Sequence, residues 1–275
     1  MKKKRITNTI LFILLVFISV IFIVPIFYTI FTSFKTETEI LQQGTFFIHS
    51  FTSENYLYVF QRGNKYLNYY RNTISITFWG VFITFFFSAL AGYAFAKLPF
   101  KGSNGIMGFI LFIVTFPLAA LMIPIYIMEF KSGTLNTHIG LILPNVMNVL
   151  PFSIFIMRSA FVGIPNEMIE SAEIDGSTIP QTWARIMLPM ASNGLIIVLV
   201  YAFYNIWGEF TMAKTLATQD ASMPISVALT LLKGESWNYG VLGAVITLSV
   251  LPPTVLFIIF QDKMVAGMAA GAVKG

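Results

Sequence analysis

Six long stretches of this sequence contain no Asp, Glu, Lys or Arg, and they constrain the fold more than any other feature. A helix that spans a lipid bilayer needs roughly 20 mostly apolar residues. Backbone N–H and C=O groups inside lipid must be hydrogen-bonded within the protein, so each stretch is predicted to be a helix rather than an open strand. The sequence therefore predicts an all-α, polytopic membrane protein with about six transmembrane helices. The stretches are Ile6–Phe34, Asn72–Ala96, Gly102–Met128, Ser132–Met157, Ile186–Gly208 and Ser236–Gln261.

The composition also favours a membrane location. Hydrophobic residues make up 56% of the chain and charged residues only 11%, whereas soluble domains carry roughly 25% charged residues. The sequence has no cysteine, which excludes a disulfide scaffold, a thiol nucleophile and a cysteine-based metal site. A transmembrane β-barrel is disfavoured, because the sequence lacks the alternating segments of about ten residues that such barrels show.

A basic cluster at the start of the chain sets the predicted topology. Lys2–Arg5 favours a cytoplasmic N-terminus, and six spans then return the C-terminus to the cytoplasm. Cleavage as a signal peptide is not expected, because the apolar stretch is longer than a signal core of about 7–15 residues. The predicted organisation is a cytoplasmic N-terminus at 1–9, a six-span transmembrane domain at 10–262 with external loops at 35–71 and 214–238 and a cytoplasmic loop at 159–190, and a cytoplasmic tail at 263–275.

Each external loop has two interpretations that the sequence leaves open. The tyrosines of the first loop form either an aromatic belt at the membrane interface or a platform for an external protein. The apolar stretch at 225–232 of the second loop either packs into the mouth of a cavity or meets an external protein. The tyrosines are Tyr56, Tyr58, Tyr66, Tyr69 and Tyr70.

The cytoplasmic loop at 159–190 is predicted to contain two short helices joined by a bend. Pro165 suits the first turn of a helix, where the missing N–H has no partner in any case. This helix should continue to Asp175, and Gly176 can then adopt the positive φ of a C-terminal cap. Ser177 is a candidate N-cap for the second helix, with Pro180 in its first turn.

The charge of this loop distinguishes it from ordinary cytoplasmic loops, which are basic. Its two arginines are outnumbered by four acidic residues around the first helix, and Met168, Ile169 and Ala172 form an apolar side. This pattern favours a surface shaped for a protein partner, although a helix that merely connects two spans is the alternative. The charged residues are Arg158, Arg185, Glu167, Glu170, Glu173 and Asp175.

The spacing within this loop resembles a known family. Glu170-Ser171-Ala172, Gly176, Ile186 and Leu188-Pro189 match the pattern Glu-Ala-Ala-x3-Gly-x9-Ile-x-Leu-Pro of binding-protein-dependent ABC importer permeases, except for serine in place of alanine at Ser171. The resemblance implies the type I ABC importer permease fold and a loop that docks on an ATPase subunit. The residues it assigns to coupling are Glu167, Glu170, Ser171, Ala172, Asp175, Gly176, Ile186, Leu188 and Pro189.

Other segments resemble the carbohydrate branch of that family, notably Ile123–Tyr126, Leu141–Asn145 and the ending Val265–Gly275. They imply the smaller, six-span permease subunit of a sugar importer of the maltose or multiple-sugar type, in a bacterial cytoplasmic membrane. The implied partners are a second, homologous permease subunit, two ATP-binding subunits and an extracytoplasmic sugar-binding protein.

No enzymatic activity is expected of this subunit. The sequence contains no G-x-x-x-x-G-K-[ST] motif for binding ATP, and its two histidines, His49 and His138, are too far apart in sequence to suggest a metal site. No cofactor is therefore expected, and ATP and magnesium should bind to the partner ATPase subunits. A secondary transporter that works without an ATPase remains the alternative, although such proteins usually show repeats and buried ionisable residues.

Polar and aromatic residues near the spans are candidates for a translocation pathway. Asn205 and Glu209 are four residues apart and are predicted to share a helical face, and a carboxylate near lipid depth is a functional candidate. A bond to a neighbouring helix or a position at the interface is the alternative for each candidate. The candidates are Tyr126, Asn145, Asn148, Asn205, Trp207 and Glu209.

Overall fold

The computed structural model describes residues 2–42, 44–61, 65–98, 100–231 and 238–272. Within these ranges the chain is almost entirely helical, with one isolated antiparallel bridge between Lys35 and Phe51. The elements, in chain order, are α1 Lys2–Ser33, α2 Glu37–Gln42, α3 Glu54–Phe60, α4 Lys65–Lys97, α5 Ser103–Ile113, α6 Leu118–Ser132, α7 His138–Val162, α8 Glu167–Ile174, α9 Ile179–Thr182, a π-helical turn Trp183–Met187, α10 Leu188–Met190, α11 Ser192–Trp207, α12 Thr211–Leu216, α13 Ile225–Leu231 and α14 Tyr239–Ala272.

The predicted all-α membrane fold is confirmed, but two of the six predicted spans are not straight. Among the described residues, α1, α4, α7 and α14 are long and apolar enough to cross a membrane as single helices. Two further crossings are possible if each of two bent helix pairs counts as one span. The pairs are α5 with α6, bent by 93°, and 179–190 with α11, bent by 79°.

The two bends have local causes in the sequence. Pro117 precedes α6 with an extended backbone, φ −67° and ψ 129°, and a proline disfavours helical geometry in the residue before it. The stretch Gly102–Met128 is therefore two helices rather than the predicted one. The second bend, at Ala191, follows a π-helical turn and Pro189, which lacks an N–H, and both features commonly kink helices.

The chain divides into two compact units. The first comprises 1–67 and 228–251, and the second comprises 68–227 and 252–275. In the first unit the apolar side chains of α1 are exposed along most of the helix, as a lipid environment allows. The loop after α1 folds around a buried pair, Lys35 and Glu39, whose charged atoms lie 3.8 Å apart.

The second unit packs α4, α7 and α11 closely, and a buried core lies where they meet. A β-carbon added at Gly92 of α4 would lie 2.5 Å from the Cβ of Met157 and 2.9 Å from the backbone nitrogen of Arg158 on α7. Glycine is required there because the two helix backbones nearly touch. The buried members of this core are Ala89, Tyr93, Met157, Phe161, Ile164, Met187, Ala191 and Val198.

Candidate functional site

The first helix of the predicted coupling loop, α8, begins slightly later than the sequence suggested. Asn166 precedes it, and the Asn166 carbonyl accepts hydrogen bonds from the N–H groups of Ile169 at 2.8 Å and Glu170 at 3.1 Å. Pro165 therefore lies just outside the helix and not in its first turn. Glu167 and Glu170 do lie in the first turn, where negative charge interacts favourably with the helix dipole.

The end of α8 confirms the predicted role of Gly176. Its φ of +78° lies in the left-handed region that glycine adopts without strain. The Gly176 N–H donates to the Glu173 carbonyl at 3.0 Å, and the Ser177 N–H donates to the Ala172 carbonyl at 2.9 Å. These two bonds form the Schellman motif, which ends the helix and turns the chain sharply.

The second helix of the loop is capped by Thr178 and not by Ser177. The Thr178 N–H donates to the side-chain Oε1 of Gln181 at 2.9 Å, as in a capping box. Ser177 is displaced from this role because its own N–H completes the turn at the end of α8. Pro180 does occupy the first turn of α9, as predicted.

The outward surface of α8 combines acidic and apolar side chains. Glu167, Glu170, Glu173 and Asp175 are all exposed, and Ile174 is 87% exposed beside them. Such a mixture suits a protein contact better than a lipid or aqueous surface alone. We call the exposed side of residues 167–176 the coupling surface.

The apolar inner side of α8 contains fewer residues than the sequence suggested. Ala172 is buried, with 3% of its surface exposed, and Ile169 packs against the core of the second unit. Met168, predicted to share this apolar side, is instead 39% exposed, so it belongs to the outward surface. The Ser171 hydroxyl donates to the Glu167 carbonyl at 2.7 Å, so serine is accommodated at that position.

The remaining predicted coupling residues lie beneath and beside this surface. Leu188 is half-buried and packs against the same core as Ile169, and Ile186 is also half-buried. Pro189 is exposed immediately before the bend into α11. Of these three residues, Leu188 is the one that contacts the core, whereas the acids face outward.

Lys97, the last residue of α4, contributes to this site and was not selected from the sequence. Its Nζ donates to the Ile164 carbonyl and to Oδ1 of Asn166, both at 2.6 Å. It lines an open groove of about 470 Å³ together with Glu170 and Glu173. The sequence signal was weak, because a lysine at the end of a helix ordinarily just complements the helix dipole.

Among the pathway candidates, the structure brings together Asn145, Trp207 and Glu209. All three line a small cavity of about 10 Å³ in the second unit. The Asn145 side chain donates to the Leu141 carbonyl at 2.8 Å, one helical turn earlier. The cavity is too small for a sugar, so these residues do not form a substrate site in this conformation.

The predicted shared helical face of Asn205 and Glu209 is wrong. Helix α11 ends at Trp207, and after Gly208 the chain turns so that the Glu209 carboxylate accepts from the N–H groups of Met212 at 2.7 Å and Ala213 at 2.9 Å. Glu209 therefore caps α12. Asn205 is exposed, and its side chain donates to the Tyr201 carbonyl of its own helix at 2.8 Å.

The last two pathway candidates are both exposed. Asn148 lines a mostly apolar groove of about 330 Å³ between α5, α6 and α7. Tyr126, on α6, is 38% exposed, and its ring is nearly parallel to that of Phe130 with the centroids 6.5 Å apart.

A polar network fastens residues 209–227, here called the outer segment, to the rest of the second unit. The Asn72 amide donates to the carbonyls of Ala221 and Met223 at 2.9 Å, and the Thr73 hydroxyl accepts from the Ile225 N–H at 2.9 Å. The described part of the second external loop is thus packed on α4. Residues 232–237 lie outside the described residues.

This network also changes the interpretation of two tyrosines. Tyr69 is buried and its hydroxyl donates to Asp220 at 2.7 Å, and Tyr70 is buried as well. Neither residue is available for an interfacial belt or an external platform. Sequence reasoning missed the network because its partners are about 150 residues apart.

Comparison with known proteins identifies the family. Residues 85–270 match the model of the binding-protein-dependent transport system inner membrane component. The arabinooligosaccharides transport system permease protein of Halalkalibacterium halodurans is 32% identical over 264 residues, which cover 94% of each chain. The sulfoquinovosyl glycerol transport system permease protein of Agrobacterium fabrum is 31% identical and covers 91% of this chain and 88% of its own.

A solved structure agrees with these matches at the level of the fold. One chain of the crystal structure of a bacterial ABC transporter involved in the import of the acidic polysaccharide alginate superposes with a TM-score of 0.83. It is 23% identical and covers 95% of this chain and 98% of its own. The family match excludes the secondary-transporter alternative. The chain therefore belongs to the family of binding-protein-dependent transport system inner membrane components, and it is the non-catalytic permease subunit of an ATP-driven importer.

Proposed function

We propose that this chain forms half of the translocation pathway of a carbohydrate importer whose cargo is an oligosaccharide. The relatives named above, with about a third of their residues identical to this chain over nearly its whole length, are permeases for arabinooligosaccharides and for sulfoquinovosyl glycerol. Both cargoes are sugars or sugar conjugates, which supports a carbohydrate substrate here.

The partners that complete such an importer are a second, homologous permease subunit, two ATP-binding subunits and an extracytoplasmic sugar-binding protein. The family description, a component of a binding-protein-dependent system, supports the last of these. ATP and magnesium would bind to the partner ATPase subunits, and this subunit would hold no cofactor of its own. The chain would sit in the inner membrane with both termini in the cytoplasm, and 273–275 of the tail lie outside the described residues.

The coupling surface is the observation that supports this function most strongly. It presents four exposed carboxylates on α8 and its C-terminal cap, while the inner side of the helix buries Ala172 and packs Ile169 against the core of α4, α7 and α11. A displacement of this surface would therefore act on the core through Ile169. ATP can shift the transporter between states only through its different affinity for them, and this surface would carry that difference to the pathway.

The proposed division of roles within the site follows exposure. Glu167, Glu170, Ser171, Asp175 and Gly176 would contact the ATPase subunit, because they are exposed. The less exposed Ala172, Ile186 and Leu188 would transmit its movement to the core, together with Pro189, which is exposed but lies immediately before the bend into α11. Tyr126, Asn145, Asn148, Asn205, Trp207 and Glu209 remain candidates for lining or shaping the pathway.

Charge reversal on the coupling surface tests the proposal. In the complete importer reconstituted in proteoliposomes, Glu170→Lys and Gly176→Asp should leave the subunit in the membrane but abolish ATP-dependent oligosaccharide uptake. Glu54→Lys, a reversal in α3 of the first unit, serves as the matched control and should retain uptake. Normal uptake in both coupling variants, or uptake by the wild type without ATP, would reject the proposed function.

A further inference from the structure

Lys97 joins α4 to the point where the coupling helix begins. Its ammonium donates to two acceptors that are 67 and 69 residues later in the sequence, the Ile164 carbonyl and Oδ1 of Asn166, each at 2.6 Å. Both acceptors belong to the short connection between α7 and α8. Hydrogen bonds with a charged donor are shorter and stronger than neutral ones. These two bonds therefore link the end of α4 firmly to the start of α8, and we call them the tether.

The two acceptors are themselves fixed in the structure. Ile164 is buried, and its N–H donates to the Phe161 carbonyl at 3.1 Å. The backbone carbonyl of Asn166 accepts the first hydrogen bonds of α8 while its side chain accepts from Lys97. Lys97 therefore holds the residue from which the coupling helix starts.

The other end of the tether is equally well anchored. The backbones of α4 and α7 nearly touch at Gly92, five residues before Lys97. One residue later, the buried ring of Tyr93 contacts that of Phe161 edge-on, with centroids 5.6 Å apart. Lys97 thus projects from a helix end that is packed closely against α7.

The covalent chain connects the coupling helix to α7 on one side and to α11 on the other. We propose that Lys97 is a positioning residue that links α4 to the coupling helix as well. A displacement of α8 by the ATPase would then move α4, α7 and α11 together. The inference rests on the proposed function, because it assumes that the ATPase acts on α8. Packed side chains and hydrogen-bond networks can carry energetic coupling between distant sites.

The test compares transport with ATP hydrolysis in the complete, reconstituted importer. Lys97→Met removes both bonds and should raise the ATP hydrolysed per sugar imported by about tenfold, the scale expected when a hydrogen bond to a charged group is lost. Lys97→Arg keeps a charged donor and should restore much of the wild-type ratio. Lys101→Met removes the same charge from an exposed lysine nearby and should leave the ratio unchanged.

A second measurement reports on the tether directly. Amide hydrogen exchange at Ile169 and Glu170, whose N–H groups donate to Asn166, should be faster in the Lys97→Met importer than in the Lys101→Met importer. An equal fall in transport and hydrolysis, with the ratio unchanged, would show a purely structural role and overturn the inference. If uptake by the wild-type importer depends on ATP, an unchanged ratio in Lys97→Met rejects this inference alone. If the wild-type importer takes up sugar without ATP, the proposed function is rejected as well.

Discussion

One oxygen of the Glu209 carboxylate accepts a hydrogen bond from the backbone N–H of Met212 at 2.7 Å, and the other accepts one from the N–H of Ala213 at 2.9 Å. The carbonyl of the same residue accepts from the Ser226 hydroxyl at 2.8 Å. Glu209 therefore bonds to both ends of the outer segment, through its carboxylate to the start of α12 and through its carbonyl to Ser226.

Replacing Glu209 by alanine should loosen the outer segment. Two N–H groups at the start of α12 would lose their acceptor, and loss of such a cap costs about 1 kcal/mol. Hydrogen exchange across 211–216 should speed up in the Glu209→Ala protein. Glu37→Ala, which removes an exposed acid from the first turn of α2, is the control, and equal exchange in the two variants would contradict the capping role.

The stability of variants at Gly176 should depend on backbone strain alone. A β-carbon there would meet nothing within 4 Å, so steric contact plays no part. Asparagine tolerates the left-handed conformation better than alanine, and the alanine penalty is about 1–2 kcal/mol. Thermal unfolding should therefore give the order Gly176, then Gly176→Asn, then Gly176→Ala, and an alanine variant as stable as wild type would show that the turn can relax.

Gly92→Ala should destabilise the second unit strongly. The new methyl group would lie 2.5 Å from the Cβ of Met157 and 2.9 Å from the backbone nitrogen of Arg158, so a helix backbone would have to shift. Overpacking of this kind costs about 1–3 kcal/mol.

Gly105→Ala is the matched control for that substitution. Gly105 is also helical, in α5, but a β-carbon there meets nothing within 4 Å. Alanine stabilises a helix by about 0.5–1 kcal/mol relative to glycine, so this variant should unfold at the same or a slightly higher temperature. A lower melting temperature is therefore expected for Gly92→Ala but not for Gly105→Ala, and equal shifts would argue against backbone contact at Gly92.

The loop after α1 should lose stability in acid. Burial alone would raise the pKa of Glu39, but hydrogen bonds from the backbone of His49 and Ser50, the His49 ring and the Lys35 charge together hold this pKa below its ordinary value of 4.5. A group whose folded pKa is lowered stabilises the fold above its unfolded pKa, and that contribution is lost as the pH falls through the folded pKa.

Hydrogen exchange at the His49 and Ser50 amides, after correction for the intrinsic pH dependence, measures this effect. Both N–H groups donate to the Glu39 carboxylate, at 2.9 and 2.7 Å. Protection should be complete above the ordinary carboxyl pKa of 4.5 and should be lost as the pH falls through the lowered pKa of folded Glu39. In Glu39→Gln the protection should be low at every pH, and an unchanged acid response in that variant would assign the effect to another group.

The membrane fold was predictable because lipid imposes a simple requirement on the chain. Long stretches without charge identified the apolar helices, and turn chemistry at Gly176 correctly located the end of α8. The direction that a chain takes at a break is not encoded in hydropathy, so the bends at Pro117 and Ala191 were not anticipated. The assignment of Ser177 as a cap failed because two neighbouring turns competed for one residue.

The polar contacts of the second unit were largely beyond prediction from the sequence. Lys97 looked like an ordinary helix-terminal lysine, and Asn72 like a polar residue at the end of a span. Their acceptors are 67 to 151 residues away in the sequence, and no local pattern reports such pairs. Glu209 was selected as a pathway residue, but the turn after Gly208 redirects it to a structural bond.

The 93° bend between α5 and α6 has a consequence for hydration. A helix that stops part-way through a bilayer leaves the first N–H groups of its successor without partners inside that helix, and such groups are tolerated at membrane depth only where protein or water satisfies them. Val114 and Phe116 at this bend lie in the same groove as Asn148. The bend therefore predicts that water or a group of a neighbouring subunit reaches the start of α6 through this mostly apolar groove.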